Sequence, residues 1–248
     1  MFLEEWIDYH MLLGFDYFYL YDNSKCVAPS SFDSKNKNIK PGTVSKYNVN
    51  YEEIIKLTTD EVNDRMQQIV DKYKCIEIVT WSPLNHQKKV TYGQTDAHAN
   101  CLQHKLKPNN FDWCANIDMD EYIVMKNFTN IKDFIASKPG ISNINMGQHL
   151  FESRFSNKQP LVTQNTDSQK TPLRRNHSNK NIYNVLKTSY MGVHKWVGVG
   201  KQIHPNIDEI WFNHYKIYAN PDSHKIIDNI HPDIKKQLLI NSTNYIKM

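Results

Sequence analysis

The 248-residue chain has room for one large α/β domain with a full core, and the whole of 1–248 is read as that single domain. Its formal charge of +4, from 30 basic and 26 acidic residues, is an ordinary surface balance that would still attract a phosphorylated ligand, and no basic stripe with interleaved aromatics suggests a nucleic-acid partner. Cys26, Cys75, Cys101 and Cys114 are widely spaced without a Cys-x-x-Cys pair, which argues for core thiols rather than a zinc centre or a disulfide framework.

Leu3, Trp6, Ile7, Met11 and Leu13 recur at the spacing of a helix with one buried face, and Gly14 supplies its stop. The aromatic run Phe15 to Tyr21 predicts a strand closed by the turn Asp22-Asn23-Ser24, and 29–42 reads as a polar loop. Thr58-Thr59-Asp60-Glu61 has the form of a capping box, opening a helix whose inward face is Val62, Met66, Ile69 and Tyr73. Ile76 to Trp81 is the next predicted strand, and Gln94 to Leu106 a helix burying Ala97, Cys101 and Leu102. Helices thus alternate with strands, so the expected fold is α/β with a mostly parallel sheet and flanking helices.

Beyond Gly140 the expectation is a mixed C-terminal portion, with strands near 141–146, 185–193 and 210–218 and a helix from about Pro221. The polar and basic stretch 156–181 lacks periodicity and reads as disordered or as a lid. No apolar run reaches the ~20 residues of a membrane helix, and the acidic N-terminus lacks a signal-peptide pattern, so the chain reads as soluble with its compartment open. Acceptor sequons at Asn127, Asn176 and Asn241 do not decide that compartment, because such triplets arise freely in an asparagine-rich chain.

The apolar run Trp113 to Ile117 leads into Asp118-Met119-Asp120-Glu121. In extended backbone Asp118 and Asp120 face the same side, where one divalent cation can meet both carboxylates and hold a phosphate. A solvated turn is the plainer explanation of an isolated Asp-x-Asp triplet.

Three segments in order carry a resemblance: Leu3 to His10 with Glu5-Trp6-Ile7-Asp8-Tyr9-His10, Gly14 to Asn23 ending in Tyr-Asp-Asn, and Trp113 to Val124 with Ile117-Asp118-Met119-Asp120-Glu121. Together they resemble glycosyltransferase family 92 and its relatives among the GT-A-fold, Rossmann-like glycosyltransferases. Gln94 to Leu102, Lys187, His194 and Asn213-His214-Tyr215-Lys216 match in part. Relatives begin with an apolar strand ahead of the Glu-Trp-Ile helix; this sequence opens inside that helix, so the resemblance implies a chain without its first strand. Gln148 to Arg154 also departs from the Trp-x-x-Phe-Gly pattern of relatives.

The resemblance implies a metal-dependent, inverting transfer of a hexose such as galactose from a UDP-sugar to a glycan. Residues 1–140 would bind the nucleotide sugar, and 141–248 the acceptor while completing the metal site. Mn²⁺ or Mg²⁺ would be held by Asp118 and Asp120 with a histidine from the downstream half, His194 in preference to His214; Lys195 and Trp196 follow His194 as surfaces for phosphate and sugar. Asp22 and Asn23, at a strand's C-terminal edge, are candidates for base or ribose, and Lys187, Arg174 and Arg175 for the diphosphate. Glu121 is expected to pack behind the motif, and Glu152 and Glu209 are candidate general bases. The compartment would be the cytoplasm, or the Golgi lumen if an anchor precedes the segment.

Two other functions stay open. A catalytically inactive sugar-nucleotide or glycan-binding domain would keep the fold without turnover. An Asp-x-Asp phosphotransferase of the haloacid dehalogenase type is disfavoured, since that family's motif sits on its first strand before a small or β-branched residue, whereas here Glu121-Tyr122 follows at mid-chain.

Overall fold

The computed structural model describes residues 3–22, 59–84, 88, 93–152, 167–169, 179–206, 209–216, 224–226 and 230–242. The elements run α1 (Leu3–Leu12), β1 (Phe18–Asp22), α2 (Thr59–Lys72), β2 (Ile76–Thr80) and α3 (Gln94–Asn100), which continues as a π-helix (Cys101–Leu106). Then come β3 (Trp113–Asn116), β4 (Glu121–Met125), α4 (Ile131–Ala136), β5 (Ile141–Glu152), β6 (Asp167–Gln169), β7 (Lys180–Asn184), β8 (Thr188–Met191), β9 (Trp196–Gly198), β10 (Lys201–Ile203), β11 (Ile210–Lys216), β12 (His224–Ile226) and α5 (Pro232–Ser242). The described residues fall into two compact units, one within 17–97 and the other made of 3–16 with those within 98–242.

Within the first unit β1 and β2 pair in parallel, Phe18 opposite Ile76 and Asp22 opposite Thr80, as expected of strands joined through a helix. Ile69 of α2 and Tyr73 just after it are buried, in keeping with the predicted inward face. Tyr21 and Trp81 meet edge to face, and the Trp81 indole donates to the Gly93 carbonyl at 3.1 Å.

The second unit is organised around β5. One edge of β5 pairs in parallel with β10 and then β11; the other pairs antiparallel with β7 and then β6. Beyond them β11 pairs antiparallel with β4, β7 with β3, and β6 with β12. This sheet is therefore mixed, where helix–strand alternation predicted a mostly parallel one. Among the described residues no helix separates the strands from β5 to β12, and these strands lie beside one another in both senses. Both faces of β5 are covered: Ile144 and Met146 are buried on one side, Asn143 and Asn145 on the other.

The predicted strand at 141–146 extends to Glu152, and the C-terminal helix begins at Pro232 rather than near Pro221, with proline at its first position. Residues 224–226 are a strand instead. Two described pieces of the expected loop 156–181 are extended, β6 and the start of β7, while the rest of it lies outside the described residues, as does the predicted loop 29–42.

Periodicity predicted one buried face for α1, yet every residue from Leu3 to His10 is buried. The reason is the backbone of β4, which among the described residues has a strand, β11, on one edge only. Antiparallel pairing turns alternate backbone groups of an edge strand away from its partner. In place of another strand, α1 supplies side chains: the Trp6 indole donates to the Glu121 carbonyl at 2.9 Å, and the Tyr9 hydroxyl to the Ile123 carbonyl at 2.6 Å. His10 Nδ1 donates to Trp6 O at 2.7 Å, leaving Nε2 to accept from the Ile123 N–H at 3.5 Å. Burial lowers the His10 pKa to about 3, so this ring stays neutral and keeps the acceptor it needs. On the other side of α1, Asn241 of α5 donates to Asp8 at 3.0 Å.

Candidate functional site

β3 ends at Asn116 and β4 begins at Glu121, so Asp118 and Asp120 lie in the turn between them. The Glu121 N–H closes this turn on the Asp118 carbonyl at 3.0 Å. Same-side alternation therefore does not operate across it, and the two carboxylates take different partners. Asp118 Oδ2 accepts from Lys180 Nζ at 2.8 Å, whereas Asp120 Oδ2 lies 3.3 Å from His214 Nε2.

Strand register brings the remaining groups together. His214 of β11 sits directly opposite Glu121 of β4, and Gln148 lies diagonally across on β5, two residues before Leu150, the partner of His214. Lys180 opens β7 opposite Met146. Its stem is buried and its ammonium reaches both Asp118 and, at 3.1 Å, Glu121 Oε2. That same Glu121 oxygen accepts the Asp118 N–H at 2.9 Å, which fixes the turn to the strand it feeds.

These contacts set the charges. Burial works to raise the Asp118 pKa, but Lys180, with smaller help from His214 and His98, outweighs it and holds the carboxyl below its usual range. Burial works to lower Lys180, yet Glu121 and Asp118 raise it, so the ammonium stays charged. Glu121 is pushed by burial up to about 8 against the pull of Lys180, because one ammonium serves two carboxyls.

Donor atoms of Asp120, Glu121 and His214 lie within 4.8 Å of one another. Gln148 Oε1 at 3.1 Å and Glu121 Oε1 at 3.6 Å both face His214 Nδ1, placing the proton there and leaving the Nε2 lone pair toward Asp120. A lone pair facing a carboxylate oxygen at 3.3 Å repels it unless a proton or a cation lies between. Two ligands at right angles on Mg²⁺, each at about 2.1 Å, are about 3 Å apart, close to the 3.3 Å between Asp120 Oδ2 and His214 Nε2, and an O, O, N donor set is one that Mg²⁺ or Mn²⁺ accepts.

The other predicted residues are placed as follows. His194 lies in the β8–β9 hairpin, exposed, with Nδ1 at 2.9 Å from the Asn179 carbonyl; of the two histidines it is His214 that meets Asp120. Lys187 is exposed in the turn before β8, where its N–H is bonded by Asn184. Glu209 lies just before β11, at the opposite end from His214, held by Lys138 at 2.6 Å, a contact that lowers its pKa. Glu152 ends β5 opposite Lys216, two positions beyond the pair Leu150 and His214. Asp22 closes β1 in the other unit, and Asn23, Arg174 and Arg175 lie outside the described residues.

Sequence reasoning missed Lys180, which sits in an aperiodic polar stretch, and Gln148. It also read Glu121 as a packing residue, although its carboxyl belongs to both the Lys180 pair and the donor cluster. Among the described residues Cys75, Cys101 and Cys114 form no disulfide, and no helix is long and apolar enough to cross a membrane.

A comparison with curated proteins found no match. The model of one family does match, over residues 29–247, a span that takes in the Asp118–Glu121 turn, Lys180 and His214, and the chain thus belongs to glycosyltransferase family 92.

Proposed function

We propose that the protein transfers a hexose, galactose being the choice suggested by the resemblance, from a UDP-sugar to a glycan hydroxyl with inversion. The family implies a sugar donor and a glycan acceptor. The observation that carries the finer reading is the convergence of Asp120, Glu121 and His214 beside the Lys180-neutralised Asp118. In this reading those three residues hold Mn²⁺ or Mg²⁺, which supplies Lewis-acid stabilisation of the departing diphosphate.

The chain's own groups prepare that site. Gln148 fixes the ring of His214 with Nε2 forward, and the Asp118 N–H and Lys180 fix one oxygen of Glu121, leaving the other toward the cluster. Lys180 cancels part of the negative charge that would otherwise repel a diphosphate. Roles for Asp22 and Asn23 in binding the nucleoside, and for Lys187 and Arg174 in binding the phosphates, belong to the same proposal. Glu152 is the preferred base for the acceptor hydroxyl, because Glu209 is tied to Lys138 at the other end of β11.

Calorimetry with UDP tests this reading. Wild type should bind UDP at least about tenfold more tightly with Mn²⁺ than with chelator, and Asp120→Ala or His214→Ala should remove that gain. Equal affinity with metal and with chelator would refute the metal-coupled site. Turnover of UDP-galactose in the presence of a galactosyl acceptor separates an enzyme from an inactive binding domain.

A further inference from the structure

The other face of the same sheet carries a cluster that the metal-type site does not use. Asn116 of β3 is paired with Asn181 of β7, which is paired with Asn145 of β5, and Asn143 lies two residues along β5. All four are buried, Asn143 completely. Asn143 Nδ2 and Asn145 Nδ2 both donate to Asn181 Oδ1 at 3.0 Å, and Asn179 Nδ2 donates to Asn145 Oδ1 at 2.6 Å. His204 Nδ1 lies 3.1 Å from that same Asn145 oxygen. His98 stands beside Asn116 and is near Asp118, Lys180 and His194.

Asparagine is disfavoured in strands, and a fold needing only a stable sheet would place β-branched or apolar residues at such positions. These amides, moreover, do not satisfy one another. Asn143 Oδ1, Asn179 Oδ1 and Asn181 Nδ2 are buried without a hydrogen-bond partner. Reversing a carboxamide exchanges a leftover nitrogen for a leftover oxygen and removes neither. A buried polar group that no partner satisfies is costly to keep, so the cluster asks for a ligand.

We propose that the carboxamide face of Asn116, Asn143, Asn145, Asn179 and Asn181 is a saccharide subsite, which binds hydroxyl groups of a sugar ring beside the Asp118–Lys180 pair. The unmatched atoms include both donors and acceptors, and a sugar hydroxyl donates and accepts at once. The amides carry no charge, which suits a neutral polyol rather than phosphate. Access is from the rim, where Asn179 is half-buried and His194, His204 and Gln202 are exposed. Position follows from the chain itself: Asn116 precedes Asp118 by two residues, and Asn179 immediately precedes Lys180. The sugar assignment rests on the glycosyltransferase reading, and the donor hexose and an acceptor hexose share the required chemistry.

The test follows the asparagine side-chain amide NMR signals of wild-type protein with diamagnetic Mg²⁺, adding UDP, UDP-galactose, UDP-glucose or N-acetyllactosamine in turn, with calorimetry on wild type and Asn179→Ala. For a donor sugar, a UDP-hexose should move these signals beyond the effect of UDP, and Asn179→Ala should weaken the UDP-hexose about tenfold while leaving UDP unchanged. For an acceptor sugar, N-acetyllactosamine should move them, and the same variant should weaken it about tenfold while sparing both nucleotides. If UDP fails to bind but N-acetyllactosamine still moves the signals, the nucleotide-sugar reading falls and the saccharide subsite stands. Signals indifferent to UDP-hexoses beyond UDP and to N-acetyllactosamine would overturn the subsite, showing amides that hold only water. Because the NMR titrations use wild-type protein, they decide between these outcomes even if Asn179→Ala fails to fold.

Discussion

Lys180→Met keeps most of the buried stem and deletes the ammonium, which makes it the sharpest perturbation of the site. The ammonium lies 2.8 Å from Asp118 Oδ2 and 3.1 Å from Glu121 Oε2, with only 2% of its side chain exposed. Breaking a buried ion pair from one side costs about 3–5 kcal/mol when the partner charge is stranded. Two features reduce that here. The Asp118 side chain keeps 42% exposure, so water takes over part of the lost solvation, and Glu121 can hold a proton, since burial pushes its carboxyl up to about 8. The expected loss at pH 7 is therefore about 2–3 kcal/mol, a large share of the roughly 5–15 kcal/mol typical of a domain. Urea unfolding of wild type and variant at several pH values is the assay. Lys180 holds the folded Asp118 pKa below its unfolded value of about 3.9, so its contribution is present above that value and fades as pH falls through the lower folded pKa. The gap between the two proteins should narrow in the same direction. A loss at pH 7 below about 0.5 kcal/mol, or a gap that does not narrow in acid, would refute the reasoning.

Gly14→Ala should cost about 1–3 kcal/mol in thermal or urea unfolding, because Gly14 has φ +91° and an added Cβ would stand 2.6 Å from the Asn130 oxygen that caps α4. Tyr9→Phe should cost about 1–3 kcal/mol by leaving the Ile123 carbonyl without its donor, and a neutral result would show that water reaches the β4 edge. His10, whose folded pKa of about 3 lies below the ordinary value, leaves stability unaffected above about pH 6.5. It should steepen the loss by up to about 1.4 kcal/mol per pH unit as pH falls from there toward 3, since the unfolded chain takes the proton first. His10→Phe should flatten that part of the profile, and an unchanged slope would place the acid sensitivity elsewhere.

The parts of this molecule legible in its sequence are those set by local pattern. Helices at 59–72 and 94–106 and strands at 18–22, 76–80 and 113–116 follow from periodicity and turn chemistry. Asp120 and His214 were singled out by residue type, and β11 brings them together across the sheet. Lys180 was not legible, because it reaches Asp118 from 62 residues away out of a stretch with no periodic signal. The same-side placement inferred for Asp118 and Asp120 presumes extended backbone, whereas β3 stops at Asn116 and the two carboxylates take different partners, Lys180 and His214. Sheet sense was misjudged for a non-local reason. The alternation of helix and strand before residue 113 was extended to strands whose neighbours are set by pairing along the length of β5.

The motif Glu5-Trp6-Ile7-Asp8-Tyr9-His10 then takes on a meaning that residue types alone do not convey. Trp6 and Tyr9 donate to successive outward carbonyls of β4, and His10 accepts the N–H between them, so the helix performs the hydrogen bonding of a neighbouring strand with side chains of fixed length. The residue whose carbonyl Trp6 holds is Glu121, and Glu121 carries the carboxyl that meets Lys180 and faces His214. Its backbone is thus pinned on one edge by α1 and on the other by β11, while the Asp118 N–H holds one of its side-chain oxygens. A carboxyl confined in this way would lose little freedom on taking the proposed cation, which is the advantage of building such a site on paired strands rather than on loops. The aromatic and imidazole groups of α1 therefore belong to the geometry of the site without touching what binds there.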